Sequence, residues 1–580
     1  MRTAAVLALA VVVATGGCAT PPPSPPPSPL ESLTRSAGEG DAESQLRLGR
    51  MHLHGDGVEA RPEVGLEWIE RAARQGLVEA QIEMARVYAQ GHGTAVDRAR
   101  EAEWLRAAAE QGSALARHNL GAMLLYGTGI EANPPEGVGW LRAAAEQGFA
   151  NAQYLLGAAY KRGLGVDPDP REAAHWYAKA AEQGIAEAQN DYGALLQLGT
   201  GVERDPAAAV AWYGKAAEQG HAKAMENLGA AYLRGEGVPA DFASAERWLR
   251  RASDTGSVRA RQMLGVIHLE GLGVPVDLAE AAFWFREAAE LGSGDAQYTL
   301  GLMHRDGQGL EKSDEKSAAW FRKAAEGGHA PAQGQLGFMY SLGRGVRRDE
   351  AEAMRWVRRA AEAGDARSQA ALGQTLLIGK GVQRDPEEGV VWIRKAAEQG
   401  LPEAQFHLAS LYYGGTGVPR SYEEALLWLR KASGQDLSQA HTLLGTMVRL
   451  GQGVPADSRE AVRLFQRAAK RGDSNAQNNL AMSLWDGDGI ARDRQEAVAW
   501  FEKSAMQGVV NAQFSLAGAY AQGIGVERDL VRAHAWLEIC AAQGFPRAAE
   551  AQSSVGRSLT SEQLAAARAL AKDISSRIGR

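Results

Sequence analysis

The chain has 580 residues, of which 63 are Lys or Arg and 70 are Asp or Glu, so its formal net charge is −7. This length exceeds what a single globular core usually holds, and the mild acidity argues against a nucleic-acid partner, which needs a basic stripe. The sequence has two cysteines, Cys18 and Cys540, so no intrachain disulfide is expected once Cys18 is modified.

Residues 1–18 have the features of a secretion signal. The apolar run Ala4–Ala14 is too short to span a bilayer as a helix. The small residues before Cys18 resemble a bacterial lipobox, which implies that Cys18 is lipidated and becomes the new N-terminus. The alternative is plain secretion after cleavage near Ala19. Ala19 also resembles the residue that directs such lipoproteins to the outer membrane.

Residues 19–37 are predicted to be a Pro-rich linker. The run Pro21–Pro29 contains seven prolines and two serines. Such a run adopts an extended, semi-rigid conformation. We therefore expect this segment to lie outside the folded part of the chain and to hold it away from a membrane anchor.

Residues 38–552 are predicted to be a repeat array. A Gly-x-Gly motif recurs every 36 residues in fourteen copies, without insertion or deletion. The first glycines of these motifs are Gly55, Gly91, Gly127, Gly163, Gly199, Gly235, Gly271, Gly307, Gly343, Gly379, Gly415, Gly451, Gly487 and Gly523. A fixed period of this length is typical of stacked helical or propeller repeats.

One repeat predicts a pair of helices. Asp169 and Glu172 have the spacing of a capping box, with Pro170 at the first helical position. Apolar residues then follow at helical spacing, and Gly184 is expected to end this helix in the left-handed conformation. A second helix is predicted from about Ala186 to Leu198, ended by the Gly of the next motif.

Two periodic residue types indicate how these helices pack. A glycine, such as Gly193, recurs inside one helix of most repeats, although an internal glycine costs about 1 kcal/mol relative to Ala. We expect the neighbouring helix to approach there at backbone distance. A tryptophan, such as Trp176, recurs in phase in thirteen repeats. It is predicted to fill the core between helices, and stacking on a carbohydrate is the alternative.

Residues 553–580 are predicted to form a polar C-terminal capping helix. Thr560 and Gln563 have capping-box spacing at its start. A terminal cap of this kind shields the apolar face of the last repeat.

The search for catalytic and metal-binding motifs supports neither a catalytic residue nor a cofactor or metal site. Ser313 and Lys316 match the Ser-x-x-Lys of penicillin-recognising enzymes, but the companion motifs are missing and Ser313 occupies a helix-cap position. His52, His54 and Asp56 could bind a metal, yet other repeats carry Tyr at the position of His52, which favours core filling. No small-molecule substrate is evident.

Aromatic side chains on the free face of the helix that carries the internal glycine are the candidate binding residues in several repeats. Exposed aromatic residues without a packing role are typical of binding surfaces. The alternative is that they wedge between adjacent helices. The candidate groove residues are Tyr154, Tyr298, Phe406, Tyr413, Trp485 and Phe514.

The combined pattern resembles the Sel1-like repeat, a relative of the tetratricopeptide repeat. It runs Ala-x-x-x-Leu-Gly-x-x-Tyr-x-x-Gly-x-Gly-Val, as in Ala224–Val238, followed by Ala-x-x-Trp-Tyr-x-Lys-Ala-Ala-Glu-Gln-Gly, as in Ala173–Gly184. The resemblance implies an all-α, right-handed superhelical α/α solenoid of about 14 helix-pair repeats. It brings no catalytic residues with it.

The resemblance also implies a function. Sel1-like proteins are mostly scaffolds and adaptors, many of them in bacterial envelopes. We therefore expect a non-enzymatic, periplasm-facing outer-membrane lipoprotein that binds an envelope protein or peptide in its concave groove. The alternatives are an enzyme acting on the cell wall or recognising penicillin, and a periplasmic inhibitor of a sensor kinase.

Overall fold

The computed structural model describes residues 28–578, which form 31 α-helices and contain no β-strand. Clustering of contacts divides the chain into two compact units. The first unit extends to Leu264 and includes Leu272–Val274. Its helices are α1 (Pro29–Gly38), α2 (Ala42–His54), α3 (Pro62–Arg74), α4 (Val78–Gln90), α5 (Arg98–Glu110), α6 (Ala114–Tyr126), α7 (Pro134–Glu146), α8 (Ala150–Arg162), α9 (Pro170–Glu182), α10 (Ala186–Leu198), α11 (Pro206–Glu218), α12 (Ala222–Arg234), α13 (Phe242–Asp254) and the first part of α14 (Val258–Glu270).

The second unit comprises Gly265–Gly271 and the chain from Pro275 onward. Its helices after α14 are α15 (Leu278–Glu290), α16 (Gly294–Asp306), α17 (Asp314–Glu326), α18 (Ala330–Leu342), α19 (Glu350–Glu362), α20 (Ala366–Ile378), α21 (Pro386–Glu398), α22 (Pro402–Gly414), α23 (Tyr422–Gly434), α24 (Ser438–Leu450), α25 (Ser458–Lys470), α26 (Ser474–Asp486), α27 (Arg494–Met506), α28 (Val510–Gln522), α29 (Leu530–Ala542), α30 (Ala548–Gly556) and α31 (Ser561–Arg577).

The helices α2 to α29 alternate between two types, which confirms the predicted all-α solenoid of about 14 helix pairs. The even-numbered members are here called A helices and the odd-numbered members B helices. Each A helix with a described cap ends at a glycine in the left-handed conformation, such as Gly199 with φ of 72°. Gly184 also has a positive φ, of 92°, after the B helix α9. The predicted right-handed superhelix stays a prediction.

The start of the B helices differs from the predicted capping boxes. Asp169 accepts hydrogen bonds from the backbone N–H groups of Arg171 and Glu172, as expected for a helix cap. Glu172, however, accepts a 3.0 Å bond from the indole Nε1 of Trp176 instead of returning to the cap residue. The same pairing joins Glu136 to Trp140, Glu280 to Trp284, Glu388 to Trp392 and Glu496 to Trp500. An indole N–H removed from water needs an acceptor, and the carboxylate four residues earlier lies within reach.

The recurrent glycine of the A helices does mark a close helix approach, as predicted. A Cβ added at Gly373 would lie 2.6 Å from the backbone oxygen of Gly389 on α21. In other repeats the space is filled by a ring, so that a Cβ at Gly193 would lie 2.9 Å from Cε1 of Tyr213. An A helix therefore meets its B helix either at backbone distance or through a side chain, which is aromatic at Gly193 and aliphatic at Gly229, where a Cβ would lie 2.7 Å from Cγ of Leu249.

Buried glutamines connect many of the A helices to the ends of two B helices. The Nε2 of Gln189 on α10 donates to the carbonyl of Ala181 on α9 over 3.1 Å. Its Oε1 accepts a 2.8 Å bond from Gln219, directly after α11. Equivalent bonds recur through much of the array, for example at Gln405 and Gln513. The repeated glutamine thus satisfies a helix-end carbonyl that would otherwise be left unpaired.

The periodic tryptophans are less buried than predicted. Trp176, Trp284, Trp428 and Trp536 are buried, and the other nine are half-buried. A Lys or Arg three residues later lies over the outer ring face in many repeats; Lys215, for instance, places its Nζ 3.8 Å from the ring centroid of Trp212. The cationic side chain covers the exposed face of the ring and adds a cation–π attraction.

The predicted linker 19–37 is wrong in its last part, because α1 occupies Pro29–Gly38. Ser28 and Glu31 form a complete capping box at its start. Ala37 is buried, and its carbonyl accepts a 2.9 Å bond from Gln45 on α2. The segment therefore supplies the helix end that the first repeat glutamine needs, and it belongs to the fold.

The C-terminal part of the chain forms two helices, α30 and α31. Thr560 and Gln563 form the predicted capping box at the start of α31. Ala567, Ala571 and Ile574 are buried, so α31 covers the end of the array with one apolar face.

Candidate binding groove

The six aromatic residues predicted to line a groove are all half-buried and pack on core residues. They are Tyr154, Tyr298, Phe406, Tyr413, Trp485 and Phe514. Ring contacts accompany this packing: the centroid of Tyr154 lies 5.7 Å from that of Tyr177, and that of Phe514 lies 5.0 Å from that of Phe545. The expectation that these rings have no packing role is therefore wrong. Their contact with a partner stays a prediction.

A cavity of about 1270 Å³ lies in the second unit among the A helices α16, α18, α20 and α22, and the B helix α19 also lines it. We call it the A-helix groove. Of the six predicted aromatic residues, Tyr298 lines it at one end. At the repeat position of Tyr298, the next two repeats carry Gly334 and Ala370, and the repeat after them carries Phe406. Of these four residues, Tyr298 and Gly334 line the groove, and Ala370 and Phe406 do not.

The groove exposes large apolar side chains to solvent. Phe338 and Leu342 on α18 are each 53% exposed, and Ile378 at the end of α20 is 73% exposed. None of these three residues is among those predicted from the sequence to line a groove. A comparison of the repeats gives a signal for one of them, because the position of Phe338 is occupied by Ala158 and Ala194 in earlier repeats.

Charged residues on the groove carry a surplus of positive charge. Arg348 is paired with Glu350 at 2.5 Å. Arg305 forms a bidentate bond to Asp306, at 2.8 Å for each pair of atoms, which lowers the pKa of that carboxyl. The side chains of two further cations at the groove, Arg367 and Lys380, form no ion pair within residues 28–578. Asp365 also lines the groove, and its Oδ2 accepts the backbone N–H of Ser368 at 2.7 Å. Arg367 and Lys380 can therefore pair with an acidic ligand.

The residues considered for catalysis do not form a nucleophile–base pair. The Oγ of Ser313 accepts from the backbone N–H of Lys316 at 3.2 Å and donates to Glu315 at 3.0 Å. The Nζ of Lys316 is 2.9 Å from Glu311. Ser313 is therefore a helix cap, and its neighbour is engaged in an ion pair.

The other reactive side chains have structural environments. His52 is half-buried, and within the described residues no cluster of three or more His, Cys, Asp or Glu could hold a metal. Burial raises the pKa of the Cys540 thiol to about 12, as expected for a small core residue. Cys18, the predicted lipidation site, lies outside the described residues. In the part of the chain from 28 to 578, no helix combines the length and apolar character needed to cross a membrane.

Known proteins match the chain in both sequence and structure. The model of the Sel1 repeat matches fourteen successive segments: residues 42–77, 78–113, 114–149, 150–185, 186–221, 222–257, 258–293, 294–329, 330–365, 366–401, 402–437, 438–473, 474–509 and 510–545. Among curated proteins, no sequence matches the chain.

Two solved structures illustrate the similarity. The chain is 33% identical to c5321, a protective antigen present in uropathogenic Escherichia coli strains that displays an SLR fold; the match covers 82% of this chain and 95% of that one, with a TM-score of 0.58. It is 35% identical to a Sel1 repeat protein from Oxalobacter formigenes, over 53% of this chain and 90% of that one, with a TM-score of 0.41. The fourteen contiguous repeat matches show that this chain belongs to the Sel1-repeat family.

Proposed function

We propose that the protein is a non-enzymatic scaffold of the bacterial cell envelope that binds a segment of a partner protein in the A-helix groove. Sel1-repeat solenoids are generally protein-interaction scaffolds and are typically non-catalytic. The observation that carries the proposal is the A-helix groove itself, with Phe338 and Ile378 exposed on its walls. Exposed apolar side chains around a concave surface are the usual anchor sites of protein interfaces.

The groove also indicates the chemistry of the bound segment. Burial of the apolar wall favours a segment with two or three large apolar side chains. Arg367 and Lys380 are unpaired within the described chain and favour acidic residues beside these anchors. The bound segment is therefore an apolar peptide flanked by Asp or Glu, presented by another envelope protein.

Lipidation of Cys18 is the proposed means of envelope attachment, with the repeats facing the periplasm from the outer membrane. The sequence before Cys18 supports this location. The fact that the similar chain c5321 is a protective antigen also supports it. Changing Cys18→Ser should release the protein from membrane fractions, whereas a wild-type protein found only in the soluble periplasmic fraction would favour plain secretion.

A matched pair of variants tests the groove. Ile378 and Leu198 occupy the same repeat position at the end of an A helix, and both are 73% exposed, but Ile378 lines the groove and Leu198 does not. We expect Ile378→Asp to abolish recovery of the partner from solubilised envelopes, because it places a carboxylate on the apolar wall. Leu198→Asp should recover the partner as the wild type does.

Circular dichroism provides the control for folding, since both substitutions lie on exposed positions and should leave the helical content unchanged. The captured protein is identified by mass spectrometry and then bound to the purified chain. If the wild type and both variants recover that protein equally, it does not bind in the A-helix groove.

A further inference from the structure

A second cavity, of about 390 Å³, lies in the second unit among α22, α24, α26 and α28. We call it the amide pocket. Most of its lining side chains are polar, and they are Gln439, Thr442, Thr446, Asp473, Asn475, Asn478, Asn479 and Asn511. Its volume is within the range of about 300–1,000 Å³ that is usual for small-ligand sites. We propose that the amide pocket binds a neutral saccharide.

The polar lining arises where the repeats depart from an apolar pattern. Phe406 occupies one repeat position on α22, and the same position carries Thr442 on α24 and Asn478 on α26. Both polar residues face the cavity beside Phe406. Two successive repeats thus present a hydroxyl and an amide where Tyr154 and Tyr298 present rings.

The charge of the lining excludes several classes of ligand. Among the described residues that line the pocket there is no Lys, Arg or His, and Asp473 is the one charged side chain. Its Oδ1 accepts the backbone N–H of Ala476 at 2.8 Å and caps α26. A phosphate or carboxylate ligand would find no counter-charge, and repulsion from Asp473 would oppose its binding. A neutral ligand fits this electrostatic environment.

The lining offers hydrogen-bond acceptors to a ligand that donates. The Oδ1 of Asn478 is buried and has no hydrogen-bond partner in residues 28–578, so it accepts from a ligand once its amide group turns toward the cavity. The hydroxyl of Thr442 donates to a helix carbonyl at 3.0 Å, which leaves its oxygen as an acceptor, whereas the oxygen of Thr446 already accepts a 3.4 Å bond from Asn479. Asp473 adds a carboxylate acceptor.

This density of acceptors distinguishes a saccharide from a peptide. An extended peptide advances about 3.3 Å per residue and turns successive N–H groups to opposite sides, so few of its donors could face one small pocket. A sugar ring carries hydroxyls on adjacent carbons, each able to donate and accept. The amides of Asn475, Asn478 and Asn511 supply donors and acceptors in return, and the half-buried ring of Phe406 offers an apolar surface for the C–H face of a sugar.

This inference is independent of the proposed scaffold function. The amide pocket shares no lining residue with the A-helix groove. Loss of protein binding in Ile378→Asp would therefore leave saccharide binding intact, and the two proposals can fail separately.

Isothermal titration of the full chain tests the saccharide site. The probes are three neutral disaccharides, N,N′-diacetylchitobiose, cellobiose and maltose, together with a neutral pentapeptide of Gly and Ser. We expect at least one disaccharide to bind, and Asn478→Ala to weaken that binding about tenfold, or about 1.4 kcal/mol. Asn511→Ala is a second variant on the exposed rim, where no loss of folding is expected.

Asn190→Ala is the matched control, because Asn190 occupies the same repeat position on α10, outside the pocket. It should leave the affinity unchanged. Three results would overturn the proposal: no disaccharide binds, a disaccharide binds equally to the wild type and both pocket variants, or the pentapeptide alone binds in a manner that depends on Asn478.

Discussion

Replacing Gly373 with Ala should destabilise the protein, although the same change stabilises an ordinary helix. The new Cβ would lie 2.6 Å from the backbone oxygen of Gly389 and 2.6 Å from Cγ1 of Ile393. Non-bonded carbon atoms prefer separations of about 3.5–4.0 Å. The helices α20 and α21 would therefore have to separate by about 0.9 Å, because a backbone oxygen cannot rotate away.

The magnitude follows from two opposing terms. Overpacking of a core of this kind lowers the free energy of unfolding by about 1–3 kcal/mol. Replacing an internal helix glycine with Ala raises it by about 1 kcal/mol. The expected net loss is about 0–2 kcal/mol for Gly373→Ala. Gly518 on α28 is the matched control, since a Cβ there has no neighbour within 4 Å. Gly518→Ala should stabilise the chain by up to about 1 kcal/mol.

Hydrogen exchange measured by mass spectrometry is the suitable assay, because a repeat array need not unfold in one step. Amides of α20 and α21 should exchange faster in Gly373→Ala, and amides of α28 should exchange more slowly in Gly518→Ala. Urea denaturation of both variants gives the direction of the overall change. If Gly373→Ala slows amide exchange in α20 and α21 as much as Gly518→Ala slows it in α28, the close approach of α20 to α21 is refuted.

Two further predictions concern buried polar residues. Gln513→Leu removes the donor to the Ala505 carbonyl and the acceptor of Gln543, so it should cost about 1–3 kcal/mol; an unchanged urea midpoint would contradict the role of the glutamine. Burial lowers the pKa of His441, which is fully shielded from solvent beside the cation Arg467. Below about pH 6.5 the unfolded chain takes up a proton that the folded one does not, so the protein becomes less stable as the pH is lowered through this range. In His441→Gln the urea midpoint should therefore change less between about pH 7.5 and about pH 5.5 than it does in the wild type.

Much of the fold could be predicted because its signals are local. The cap at Asp169 and the left-handed glycine at Gly199 act within a few residues of chain. Their regular recurrence gives the helix pairs and their boundaries. The close approach at Gly373 was also predictable, since an internal glycine repeated at a fixed period needs a packing reason.

The local signals gave the wrong prediction where the burial of neighbouring groups determined which hydrogen bonds form. Glu172 could return to its cap residue or accept a hydrogen bond from the Trp176 indole, and the buried indole N–H takes the carboxylate. The segment before Gly38 has the composition of a linker, yet the buried Ala37 and its bond to Gln45 place it in the fold.

The sequence by itself determined the repeat, its two helices and the family, because capping, helix termination and periodic core residues act within one 36-residue unit. Only the tertiary structure decided where the cavities lie. The A-helix groove is lined by residues of four successive repeats, from Tyr298 to Pro402. These residues are far apart in sequence and become neighbours through stacking of the repeats, so the hollow is a property of the packed array and not of any single repeat.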